Sequence, residues 1–160
     1  IDIQVDRPFR STVSSIRLRK VARKALEVAN APPHCELVLV ITQDKNIRRL
    51  NRDYRGLDEV TDVLAFSPEH GGHYEGISEP EKADLVAFPT TPGIPKMLGD
   101  VIISYSQVER QAQERDLPVQ KELALLVVHG ILHLLGHDHL NDDEAESMKC
   151  LEEQVMADVA

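Results

Sequence analysis

An α+β fold, with a small mixed β-sheet packed by helices around one buried central helix, is what this sequence predicts from three observations. Short β-branched runs, ELVLVI and TDVLAF, are too short for helices and read as strands. Around them lie segments whose apolar residues recur at helical spacing. One of these, VQKELALLVVHGILHLL, is apolar nearly all round, as a helix covered on every side must be.

Taken in order, residues 13–29 set Ile16, Val21, Ala25 and Val28 on one face of a helix and Arg17, Lys20, Arg23 and Lys24 on the other. Residues 36–41 form a buried strand. Asp44 then stands where it would cap a second helix carrying Ile47 and Leu50, with Arg48, Arg49, Arg52 and Arg55 on that helix or at its exit. A strand follows at 61–66. Residues 67–96 are rich in proline and glycine without periodicity and read as an irregular insertion. Their His70 and His73 form an HxxH pair, but a glycine-rich setting argues against a ligand role. Residues 98–105 resume as a strand and 107–115 as a polar helix that stops before Pro118. Pro118 suits the first turn of the central helix, Gly136 ends it, and Asp142 opens an acidic last helix with Met148, Leu151 and Val155 inward. Asp62 and Asp100, in or beside strand segments, read as turn-capping residues.

With 160 residues and 42% hydrophobic content, the chain 1–160 is expected to be a single domain with one core. It contains no run of about 18 apolar residues, and the start IDIQVDRPFR lacks a secretory-signal pattern, so a soluble, cytoplasmic protein with no membrane partner is expected. Cys35 and Cys150 form neither a CxxC pair nor a disulfide framework and read as reduced thiols. Aromatics make up 4% of the chain, which offers no aromatic platform for nucleic acid. The net charge of −9 argues against a polyanionic partner until its distribution is considered. Residues 1–56 hold 12 Lys/Arg against 6 Asp/Glu, and 57–160 hold 6 against 21, giving +6 and −15. A basic face able to guide RNA and a pair of solvated helix surfaces of opposite sign both fit that split.

The chemistry is concentrated in HGILHLLGHDH, residues 129–139. His129 and His133 are four apart, so a helix sets their imidazoles side by side. Gly136 permits a left-handed turn that brings His139 back toward them. Three neutral imidazoles can bind one zinc ion and leave a fourth tetrahedral position open, as catalytic sites do. Buried histidines can instead merely satisfy hydrogen bonds, but four of the chain's seven lie in these eleven positions. The spacing matches the long metzincin protease pattern in its three histidines and glycine, yet Gly130 occupies the place of the general-base glutamate.

Together with NRDYRGLDEVTDVLAF and LGDVIIS, the histidine block resembles the YbeY family of zinc-dependent endoribonucleases, in order and over most of the chain outside the insertion. The resemblance implies a zincin-like fold, zinc ligands at His129, His133 and His139, and an essential arginine at Arg55. It also implies cleavage of single-stranded RNA, with roles in ribosomal RNA maturation and quality control on the small ribosomal subunit. Two departures stand out: His137 replaces a residue that is commonly aromatic, and the 67–96 connection is longer than usual.

Physical roles follow for the same residues. An arginine fork at Arg55 can hold two phosphoryl oxygens as charge builds on them. Asp138 can orient a ligand imidazole, act as a base or cap a turn, and His137 can serve as a spare imidazole, a proton donor or a solvent-facing side chain. Two alternatives remain: a peptide hydrolase drawing its base from Glu122 or Asp138, and a non-catalytic RNA- or ribosome-binding factor with a structural zinc.

Overall fold

The computed structural model describes residues 1–69 and 93–159. Its elements in chain order are β1 (Asp2–Val5), a 3₁₀ turn (Arg7–Phe9), α1 (Ser15–Val28), β2 (Cys35–Thr42), α2 (Asp44–Arg55) and β3 (Val63–Phe66). After these come β4 (Lys96–Ser104), α3 (Tyr105–Glu114), α4 (Val119–Leu134) and α5 (Asp142–Val159). The four strands form one mixed sheet in the order β1-β2-β4-β3. β1, β2 and β4 run parallel, while β3 pairs antiparallel with β4 and forms an edge. The expected α+β architecture is thus present. His70 and His73 and most of the expected insertion lie outside the described residues.

Alternation along the strands divides the core between two faces. Leu37, Leu39 and Ile41 of β2 and Val101 and Ile103 of β4 join the main core with α1, α4 and α5. The intervening Val40 and Ile102, with Leu64 of β3, join Ile47 of α2 in a smaller cluster on the opposite face. Helix α4 is the centre of the main core, burying Leu123, Val127, Val128, Ile131 and Leu132 completely. At roughly 1.5–3 kcal/mol for each large apolar side chain, this burial makes α4 the most firmly anchored helix. It also lies very close to the sheet: a Cβ at Gly130 would stand 2.5 Å from Val101 Cγ1. Among the described residues, no single helix is long and apolar enough to cross a membrane.

Two details of the sequence reading are corrected. Ile16 is 85% exposed, and the inward face of α1 is Leu18, Val21, Ala22 and Ala25. Those four follow i, i+3, i+4, i+7, whereas Ile16 lies five residues from Val21 and therefore well off that stripe. Asp44 is the first residue of α2 and does not cap it. Its carboxylate accepts a hydrogen bond from Ser104 Oγ at 2.6 Å and pairs with Arg110, tying α2 to β4 and α3.

Candidate metal centre

The last two turns of α4 present His129 and His133 on one face, with their Nε2 atoms 3.1 Å apart. Gly136, with φ +90°, then reverses the chain. The N–H of Gly136 donates to the carbonyl of His133, and that of His137 to the carbonyl of Leu132, so the helix end is satisfied as the turn forms. The turn carries His139 back until its ring centroid lies 5.7 Å from that of His129 and 5.3 Å from that of His133. One ligand atom from each of the three histidines lies within 4.8 Å of the other two. Two nitrogens at tetrahedral positions about 2.0–2.1 Å from one zinc ion would be about 3.3 Å apart, so the His129–His133 spacing fits a shared ion.

The protonation state of His133 fits as well. Burial, reinforced by the neighbouring His129, pushes the His133 imidazole down from 6.5 to about 4, which keeps it neutral and able to bind a cation near neutral pH. His129 Nδ1 lies 2.7 Å from Glu152 Oε1. With its proton on Nδ1, His129 donates to that carboxylate and leaves the Nε2 lone pair facing His133 and His139. The sequence reading missed Glu152. The available signal was its position four residues after Met148 and three before Val155, which puts a carboxylate on the otherwise apolar inward stripe of α5.

A cleft of about 630 Å³ opens in front of these histidines, and Arg55, His137 and Asp138 also border it. Arg55 arrives from the opposite side of the sheet. It is the final residue of α2, where Gly56 in the left-handed region (φ +72°) ends the helix. Because β3 is the edge strand, the end of α2 reaches the cleft around it, and Val63 and Ala65 form part of the wall. Four carboxylates also border the cleft, each engaged elsewhere. Asp62 accepts from Val63 N–H and Gln111 Nε2, Asp138 from His139 N–H and Glu144 from Leu140 N–H. Glu69 pairs with Lys96 at 3.0 Å.

Of the roles open to Asp138, capping the turn is the one with a hydrogen bond, 2.8 Å from Oδ1 to the His139 nitrogen. The carboxylate that touches a candidate ligand is Glu152. Glu122, considered as an alternative base, is corrected: it is fully buried in the first turn of α4, bound to Arg115 at 2.8 Å and absent from the cleft wall. Nor does position 130 have room for a glutamate, since it faces Val101 and Val63 of the sheet.

Residues 4–160 match the family model described as Endoribonuclease YbeY. A curated protein of that name from Dehalococcoides mccartyi strain 195 is 45% identical over 140 residues, covering 87% of this chain and 77% of the relative. Another from Heliobacterium modesticaldum is 42% identical over 142 residues, covering 88% and 80%. A third, from Roseiflexus sp. strain RS-1, is 38% identical over 158 residues, covering 98% and 90%. The solution structure of TM1509 from Thermotoga maritima superposes with a TM-score of 0.58 at 23% identity, covering 98% of this chain and 88% of that one, which is a likeness of fold. With the family match spanning nearly the whole chain and relatives this similar, the chain belongs to the endoribonuclease YbeY family.

Proposed function

We propose that this protein is a zinc-dependent endoribonuclease that cleaves single-stranded RNA, with His129, His133 and His139 as the metal ligands and Arg55 as the phosphate-binding residue. The observation that carries this reading is the meeting of Arg55 with three clustered imidazoles at one cleft, although they come from opposite sides of the sheet. The guanidinium of Arg55 would hold two non-bridging oxygens of the scissile phosphodiester and stabilise the charge that grows on them. Zinc, when bound, supplies Lewis-acid chemistry at the phosphoryl group or the attacking oxygen. Glu152 keeps His129 in the tautomer with a free Nε2 lone pair. His137 and Asp138 also border the cleft, and proton transfer to the leaving oxygen is assigned to His137.

Family membership supports RNA as the substrate, and the reading extends to ribosomal RNA maturation and quality control at the small ribosomal subunit, in the cytoplasm. The deciding experiment compares cleavage of a labelled single-stranded RNA by zinc-loaded parent and Arg55→Ala proteins of equal metal content. The expected result is parent cleavage with a loss of about 100-fold or more in the variant. Equal cleavage by both would remove Arg55 from the mechanism. RNA binding without any cleavage by the metal-loaded parent would favour a binding factor with structural zinc.

A further inference from the structure

The inward stripe of α2 does not end where the sheet ends. Ile47 is fully buried and Leu50 half-buried, and Tyr54 continues the stripe at helical spacing with 68% of its surface exposed. Its ring rests against Phe66 at a centroid distance of 5.5 Å and an interplanar angle of 56°. Phe66 is the last residue of edge strand β3, and its neighbours Ala65 and Ser67 border the histidine cleft, as does Arg55, the residue after Tyr54. A large aromatic ring is therefore held against the end of the edge strand, next in sequence to Arg55 of the cleft, braced on one side and open to water on the other. Tyr105, the other described tyrosine, is 2% exposed and packs against Phe9. On the opposite, solvent face of α2, Lys45, Arg48, Arg49 and Arg52 are exposed, with Arg48 paired to Asp58 and Arg52 to Asp53. An aromatic face next to an arginine that borders the cleft fits a stacked base beside a bound phosphate.

We propose that Tyr54 is a substrate-positioning residue whose exposed face stacks on an unpaired base of the RNA next to the bond held at the cleft. This rests on the reading above that the substrate is RNA. The low aromatic content excludes a row of stacking rings, but a single ring suffices to seat one nucleotide. A base in a duplex already stacks on its neighbours, so a ring at this position favours a single strand over a duplex. Stacking of this kind acts in the ground state and the transition state alike, so it should appear in KM and leave kcat in place.

The test uses the zinc-loaded full chain and an oligoadenine RNA. Tyr54→Ala should raise KM about tenfold while kcat, metal content and thermal midpoint stay near those of the parent, and Tyr54→Phe should retain the parent KM. One abasic nucleotide next to the cleaved bond should impose a similar KM increase on the parent and add little to that of the alanine variant. Since the chain contains no tryptophan, Tyr54→Trp provides a single fluorescent reporter, whose emission should be quenched by the RNA independently of turnover. Parent cleavage with an unchanged KM in Tyr54→Ala, or an unquenched Tyr54→Trp protein that still cleaves, would overturn the stacking role and leave the ribonuclease reading intact. A parent that neither binds nor cleaves the RNA would remove that reading and the stacking with it.

Discussion

At the two ends of α4 a buried or half-buried glutamate meets a partner from another part of the chain, and the partner decides what it does. In the first turn, Glu122 is wholly buried and bound by Arg115, a permanent cation. Arg115 binds one carboxylate oxygen, Oε1, and the pair joins the segment after α3 to α4. Toward the other end, Glu152 of α5 meets His129, whose imidazole is 28% exposed at a cleft. That pairing leaves the other imidazole nitrogen 3.1 Å from His133 Nε2, within the three-histidine cluster. A carboxylate on a cation ties two parts of the fold together; the same group on an imidazole orients a candidate metal ligand.

The sharpest way to break this comparison is at Arg115. Arg115→Ala strands the buried Glu122 carboxylate and should lower the unfolding free energy by about 2–3 kcal/mol, less than for a wholly buried pair because Arg115 is 56% exposed. Zinc affinity of the folded protein should be unchanged, as competition with a chromophoric chelator would report. A change there would mean that the two ends of α4 are coupled. Glu152→Ala should do the opposite, weakening zinc binding about 10- to 100-fold in the same assay with little change in the urea midpoint of the metal-free protein. Glu152→Gln, whose amide oxygen still accepts from Nδ1–H, should recover part of the loss. If Glu152→Ala bound zinc like the parent, Glu152 would be no more structurally special than any half-buried carboxylate.

A smaller effect is expected at Asp44, a third and more exposed carboxylate site. Burial pushes its pKa up, but hydrogen bonds from Ser104 and Arg110 outweigh this and hold it below its ordinary value of 3.8. A carboxylate depressed in the folded state stabilises the protein above its unfolded pKa, and that contribution is lost as the pH falls through the lower folded value. Asp44→Asn should therefore cost about 0.5–1 kcal/mol at pH 7, and the gap to the parent in urea unfolding should narrow below about pH 4. A gap that persists unchanged at pH 2 would show that packing, rather than charge, holds Asp44.

Local spacing carries far in this chain because helical and strand periods are properties of consecutive residues. The α+β order, the burial of α4, the inward Met148 and Val155 of α5, and the turn at Gly136 that returns His139 to His129 and His133 all follow from residues within a few positions of one another. Ile16 shows where such reading slips, since the inward face of a short amphipathic helix shifts when Leu18 is counted in its place. Other features depend on elements distant in sequence that meet only in the fold. The placement of β3 at the sheet edge lets Arg55 reach the histidine cleft from the far face and leaves Tyr54 against Phe66 at the end of that strand. The packing of α5 against α4 delivers Glu152 to His129, 23 residues away, and the approach of α4 to Val101 leaves no room for a side chain at Gly130. Spacing within a segment determined which imidazoles can converge, because the helix repeat sets their direction; packing between segments decided which carboxylate would touch them and which guanidinium would share their cleft, because only the folded core brings together residues distant in the sequence.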